Sequence, residues 1–194
     1  MNPPDLCHPG RIIRGGYAMN EHPRLETDRL ILRPFTLDDA PDVHRLVSDK
    51  AVAATTMSFP HPYEEGMAEA WITANLEQCE NGEKVLFAMI RKADDAFIGS
   101  ISLMDIQPAH QAEFGWFVGV PYWNNGYCTE AGQALLAYAF DQLGLIRVHA
   151  RHLSRNPSSG RVMQKLGMSH EGTRRKHVRK WEVFEDVELY GIVR

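Results

Sequence analysis

The sequence predicts a single mixed α/β domain, and three observations carry that prediction. Segments with the two-residue period of strands alternate along the chain with segments of helical period. Turn-rich links join some of the strands directly, as in antiparallel hairpins. Just past the midpoint, an apolar strand over residues 113–120 runs through a Gly/Asn turn into a helix-period stretch. With 194 residues, 44% of them hydrophobic, the chain is long and apolar enough for one well-packed core.

Taken in order, residues 1–18 carry Pro3, Pro4, Pro9, Gly10, Gly15 and Gly16 and no hydrophobic period. They read as a disordered leader or an extension from an upstream start, because such a composition buries too little apolar surface to offset ordering. The folded domain is expected over residues 19–194, its first strand marked by Leu30, Leu32 and, across Pro34, Phe35. Thr36, Asp38 and Asp39 supply helix-start chemistry for a helix through Val43, Leu46 and Val47. Residues 63–79 give a second helix, with Met67, Ala70, Trp71, Ala74 and Leu76 at mostly helical spacing. Strands at 85–90 and 96–103 form a hairpin across the turn at residues 92–95.

After the strand at 113–120, a helix over residues 128–143 puts Ala131, Leu135, Leu136, Ala139 and Leu143 on one face, and Gly144 stops it. A strand at 147–153 and a short helix at 156–166, ended by Gly167, come next. Residues 172–178 and 183–193 close the chain as a hairpin.

Composition excludes several functions. A formal net charge of −4 supplies no basic field for nucleic acid. No apolar run approaches membrane-spanning length. Cys7, Cys79 and Cys128 form neither a disulfide framework nor a metal spacing, which fits a cytoplasmic setting. His149 and His152 are three apart on a strand and so face opposite ways; no metal site is expected.

The turn from Pro121 to Glu130 carries the chemistry. A strand feeding a Gly/Asn turn that opens a helix aims backbone N–H groups and a positive helix end at one point, so a phosphate-bearing ligand is expected. Gly126 suits a left-handed position, and Asn124 is among the few non-glycine residues that tolerate one. The turn lacks both the Lys-Ser/Thr of a P-loop and the three-glycine dinucleotide fingerprint.

Four stretches in order carry a resemblance. They are Leu25-Glu-Thr-Asp-Arg-Leu-Ile-Leu-Arg-Pro34, Tyr122-Trp-Asn-Asn-Gly-Tyr-Cys-Thr-Glu130, Asn156-Pro-Ser-Ser-Gly-Arg-Val-Met-Gln-Lys-Leu-Gly-Met168 and Phe184-Glu-Asp-Val-Glu-Leu-Tyr190. Together they resemble the GNAT superfamily of N-acyltransferases, in the branch of the ribosomal-protein alanine N-acetyltransferases. Asn124 and Cys128 stand where that branch carries Gly and Ala.

The resemblance implies a largely antiparallel sheet of about seven strands with the fourth and fifth splayed, flanked by about four helices. It further implies acetyl-CoA as co-substrate, no metal, direct acetyl transfer to a primary amine on a small molecule or a protein N-terminus, and a possible homodimer. Cofactor contacts fall on Asn124, Asn125, Gly126, Tyr127, Cys128 and Thr129, on the open strand at Trp116, Phe117 and Val118, and on Asn156 and Ser159. An N–H near Phe117 or Val118 would hold the thioester oxygen, and Ser159 would protonate the departing thiolate.

The position seven residues after Asn156, where many members carry a Tyr acid, is Met163. Glu113 is either a general base acting through water or a solvated strand-end carboxylate. Asn156 doubles as a helix cap. Tyr190 reads as core or as cleft lining. The basic run from Arg174 to Lys180 reads as a solvated hairpin, a steering surface for acidic acceptors or a 3′-phosphate contact. Cys128 is either a small buried residue or a helix-N-terminal thiol with a lowered pKa. A non-catalytic acyl-CoA-binding module and a nucleotide-binding protein are the alternatives.

Overall fold

The computed structural model describes residues 23–194, so the expected leader and Cys7 lie outside the described residues. Eight strands, β1 (Leu25–Glu26), β2 (Leu30–Pro34), β3 (Val85–Arg91), β4 (Ala96–Gln107), β5 (Gln111–Val118), β6 (Arg147–Leu153), β7 (Ser169–Lys180) and β8 (Val183–Val193), form one sheet. Their order is β1-β2-β3-β4-β5-β6-β8-β7. Each neighbouring pair is antiparallel except β5–β6. Five helices flank it: α1 (Ala40–Val47), α2 (Lys50–Thr55), α3 (Met67–Glu80), α4 (Tyr127–Asp141) and α5 (Pro157–Lys165).

The mixed, largely antiparallel architecture is the expected one, with one more strand and one more helix. The extra strand arises because the first stretch folds back on itself: Thr27 N–H bonds the Leu30 carbonyl at 2.9 Å, pairing Leu25–Glu26 with the strand after it. The extra helix, α2, is capped by Asp49, whose carboxylate accepts from Ala51 N–H at 2.8 Å. Gly66, at φ 83°, delays α3 past the expected start at residue 63. Pro121 turns the chain into a 3-10 turn at Val120–Tyr122, ending β5 two residues early.

The sheet is covered on both faces because β3 is buried along nearly its whole length and reads as a continuous apolar run. Val85, Phe87 and Met89 pack with Ala131 and Leu135 of α4 and Met163 of α5. Leu86, Ala88 and Ile90 pack with Val43 of α1 and Ile72 of α3. The opposed facing of adjacent residues follows from strand geometry.

β5 and β6 pair only from Gln111 with Arg147 to Phe114 with Ala150. Beyond that, residues 115–118 pair with β4 alone, and residues 151–153 with β8 alone. The two strands therefore splay, leaving backbone on their facing edges without a strand partner.

Candidate active site

Two clefts open on either side of this splay. The first, about 390 Å³, is lined by the turn at Asn124 and Gly126, the start of α4 at Tyr127, Cys128 and Thr129, and the edge at Trp116, Phe117 and Val118. Asn156 and Ser159 complete it from α5. Asn125, also expected here, is not among its lining residues; its side chain turns back to the Trp123 carbonyl at 2.9 Å. The second, about 560 Å³, is lined by Glu113, Ser100, Ser102, Tyr63, Trp71, Lys84 and Arg151, among others. Both include Thr55, Thr56, Trp116, Phe117 and Ser159, so they meet at the point where the strands part.

The first cleft suits a polyphosphate. Asn124 and Gly126 take the left-handed conformations expected of them, φ 61° and 80°. The first intrahelical bond of α4 runs from Glu130 N–H to the Gly126 carbonyl, so the helix itself leaves the earlier amides of the turn unpaired. Arg155, Arg161 and Lys165 line the same cleft, and no carboxylate among the described residues does. Charge and helix polarity therefore point the same way.

The turn is clamped from outside by Glu130. Its carboxylate accepts from Thr27 Oγ1 at 2.6 Å, Arg29 N–H at 2.8 Å and Arg29 Nε at 2.7 Å. Arg29 in turn donates to the Asn125 carbonyl at 3.1 Å and lies 4.7 Å over the Tyr127 ring. Burial alone would raise the Glu130 carboxyl; the bonds from Thr27 and Arg29 overcome it and hold the group below its ordinary range.

Strand alternation decides which amides face the splay. A Cβ added at Gly99 would lie 2.1 Å from the Phe117 carbonyl, so Phe117 points its backbone towards β4. Val118 and Trp116 then point theirs the other way. Consistent with this, the Val118 carbonyl accepts from Trp123 Nε1 at 2.6 Å. Of the two N–H groups considered for the thioester oxygen, Val118 has the suitable direction. The Phe117 ring packs instead against Phe59 at 5.3 Å and Trp71 at 6.1 Å.

At the junction, Asn156 caps α5 and orients Ser159 together. Its Oδ1 accepts from Ser159 N–H at 3.4 Å, while its Nδ2 donates to Ser159 Oγ at 2.9 Å and to the Thr55 carbonyl at 3.2 Å. Because the amide donates to the hydroxyl oxygen, the Ser159 proton stays available to an acceptor in the cleft. Met163 is fully buried in the core.

Of the two alternatives for Glu113, a solvated strand-end carboxylate does not fit its surroundings. Glu113 is 8% exposed, bonded to Arg151 Nε at 2.8 Å, and lines the second cleft with Ser159. Tyr190 is core: it packs against His152 at 5.6 Å and His170 at 5.2 Å. In the basic run, Arg174 to Arg179 are largely exposed on β7, whereas Lys180 is buried and donates to the Phe59 carbonyl. The cations beside the first cleft are Arg155, Arg161 and Lys165, which sequence reasoning missed although Arg161 and Lys165 sit four apart inside the quoted α5 stretch.

Cys128 is half-buried, packed against the core at the edge of the first cleft. Burial pushes its thiol up to about 12, against the helix N-terminal effect considered from sequence. Cys128→Ala is therefore expected to keep wild-type turnover, and iodoacetamide at neutral pH to modify the thiol slowly, since the thiolate is the reactive form. A folded but inactive Cys128→Ala enzyme would instead point to an acetyl-cysteine step.

Among the described residues no group of His, Cys, Asp and Glu is arranged to hold a metal ion, and no helix is long and apolar enough to cross a membrane.

Residues 29–169, which span the β2 strand, the clamped turn, the splay and α5, match the family model for the acetyltransferase (GNAT) domain. YnaD of Bacillus subtilis (strain 168), described as an uncharacterized N-acetyltransferase, is 33% identical over 169 residues, or 87% of this chain and 96% of its own. The crystal structure of a GNAT-family acetyltransferase from Bacillus anthracis is similar at TM-score 0.77 and 28% identity, over 88% of this chain and 98% of that one. The microcin C7 self-immunity acetyltransferase MccE, solved with acetyl-CoA and AMP, shares the fold at TM-score 0.79 and 18% identity, over 87% of this chain and 94% of its own. The chain thus belongs to the GNAT acetyltransferase family, as an acetyl-CoA-dependent N-acyltransferase.

Proposed function

We propose that the enzyme transfers an acetyl group from acetyl-CoA to a primary amine by direct attack, with both substrates bound at once. The observation that carries this reading is the meeting of two clefts at Trp116, Phe117 and Ser159, one cationic and amide-lined, the other open to an acceptor. In this reading the turn at residues 124–129 holds the pyrophosphate, and the open edge of β5 pairs with the pantetheine arm as an added strand would. The Val118 N–H supports the carbonyl oxygen as it gains charge.

The C–N bond forms as the C–S bond breaks. Ser159 gives its proton to the leaving sulfur, and Glu113 draws the proton from the amine through water. The water path is required by distance, because Glu113 and Phe117 are four residues apart on one strand, roughly 13 Å. The basic exposed face of β7 is free to steer acidic acceptors. The expected acceptors are a small-molecule amine or a protein N-terminus; a homodimer and a cytoplasmic location belong to the same proposal.

A thiol-release assay across amine classes tests it. Release of CoA thiol that depends on an added amine is the expected result. Tight acetyl-CoA binding with no amine-dependent release from any class would favour a binding module instead.

A further inference from the structure

The second cleft holds a cation with no carboxylate partner among the described residues. Lys84, immediately before β3, is half-buried and lines the cleft with Glu113 and Arg151. Its Nζ donates to Asn75 Oδ1 at 2.6 Å, and no carboxylate among the described residues lies within ion-pair distance of it. Asp105, exposed on β4, acts on it only through space.

Asn75 is itself 7% exposed, and its Nδ2 is tied to the Trp71 carbonyl at 2.7 Å, which fixes the amide with its oxygen towards Lys84. The lysine is therefore aimed rather than free to swing. The Glu113 carboxylate is already matched by Arg151, so the lining carries two cations against one carboxylate. A polycationic acceptor would meet the wrong sign of charge. Burial disfavours the charged form of Lys84, and an anion bound beside it would restore that form.

Register gives the spacing. Ala88, Ser100 and Phe117 lie in one row across β3, β4 and β5, and Lys84 is four residues before Ala88 on the same face as Leu86. The anion position is thus about 13 Å down the sheet from the splay, less the reach of the lysine side chain.

We propose that the preferred acceptor is an elongated amine carrying an anionic group on the order of 10 Å from its reacting nitrogen, and that Lys84 recognises that group. The proposal rests on the acetyl-transfer reading above for the identity of the cleft as the acceptor site.

Two matched pairs of acceptors test it: the amidated peptide Ala-Ala-Glu-Ala against Ala-Ala-Gln-Ala, and a medium-chain ω-amino acid against its amide, with spermidine as the polycation. The wild-type enzyme is expected to favour the anionic member of at least one pair about tenfold or more in kcat/KM, through KM. Which pair shows it separates a peptide from a small-molecule acceptor. Lys84→Met is expected to bring that ratio close to one, and Lys84→Arg to keep it.

Calorimetric titration of the same compounds into the CoA-bound enzyme reads the preference without turnover. No anionic preference in either pair, better use of spermidine than of any anionic amine, or an unchanged ratio in Lys84→Met would each overturn the assignment. A binding preference that depends on Lys84 with no acetyl transfer would instead contradict the acetyl-transfer reading, and with it the acceptor assignment, leaving Lys84 only as an anion contact.

Discussion

Gly99→Ala is expected to be the most damaging single-methyl substitution in the sheet. Its Cβ would lie 2.1 Å from the Phe117 carbonyl oxygen and 2.9 Å from Val118 Cα, and both are backbone atoms that cannot rotate aside. Relief requires β4 and β5 to separate where Gly99 pairs with Val118, beyond the point where β5 has lost its pairing with β6. We expect a loss of about 3 kcal/mol or more, a large part of the roughly 5–15 kcal/mol that holds a typical domain. Urea unfolding of Gly99→Ala beside Gly82→Ala checks it. An added Cβ at Gly82 meets nothing within 4 Å, and only its φ of 74° is strained. If Gly99→Ala falls no further than this control, the β4–β5 register at the splay is softer than described.

Ser159→Ala is expected to reduce turnover by about ten- to a hundredfold while changing acetyl-CoA affinity little, because a proton donor to the leaving sulfur acts in the transition state. The fold should be unaffected: Asn156 still caps α5 through the Ser159 backbone N–H and still holds the Thr55 carbonyl. Steady-state kinetics paired with acetyl-CoA titration separates the outcomes. Wild-type turnover would remove Ser159 from the chemistry, and a collapse of acetyl-CoA binding would recast it as a cofactor contact.

Much of this arrangement was legible in the sequence, because local chemistry specifies it. Asn124 and Gly126 announce left-handed positions, Gly144 and Gly167 mark helix ends, and Asn156 with Ser159 is a cap that doubles as a site. The strand at Arg147–Leu153 is bounded as read because its buried and less buried residues alternate.

What escaped the reading is long-range. Glu130 gives no sign in sequence that it reaches Thr27 and Arg29 about a hundred positions away, nor Lys84 that it meets Asn75 across a turn. Sequence left Glu113 open between a general base and a solvated strand-end carboxylate; only the fold supplies Arg151 beside it. The low helix-end pKa considered for Cys128 failed because desolvation outweighs the helix terminus at that depth.

The central claim, direct transfer where the two clefts meet, is tested most directly by initial velocities over a matrix of acetyl-CoA and amine concentrations, with mass spectrometry of enzyme incubated with acetyl-CoA alone. The account predicts intersecting reciprocal plots and an unmodified protein. Parallel plots together with a stoichiometrically acetylated enzyme would contradict it, because they require the acetyl group to leave CoA before the amine arrives.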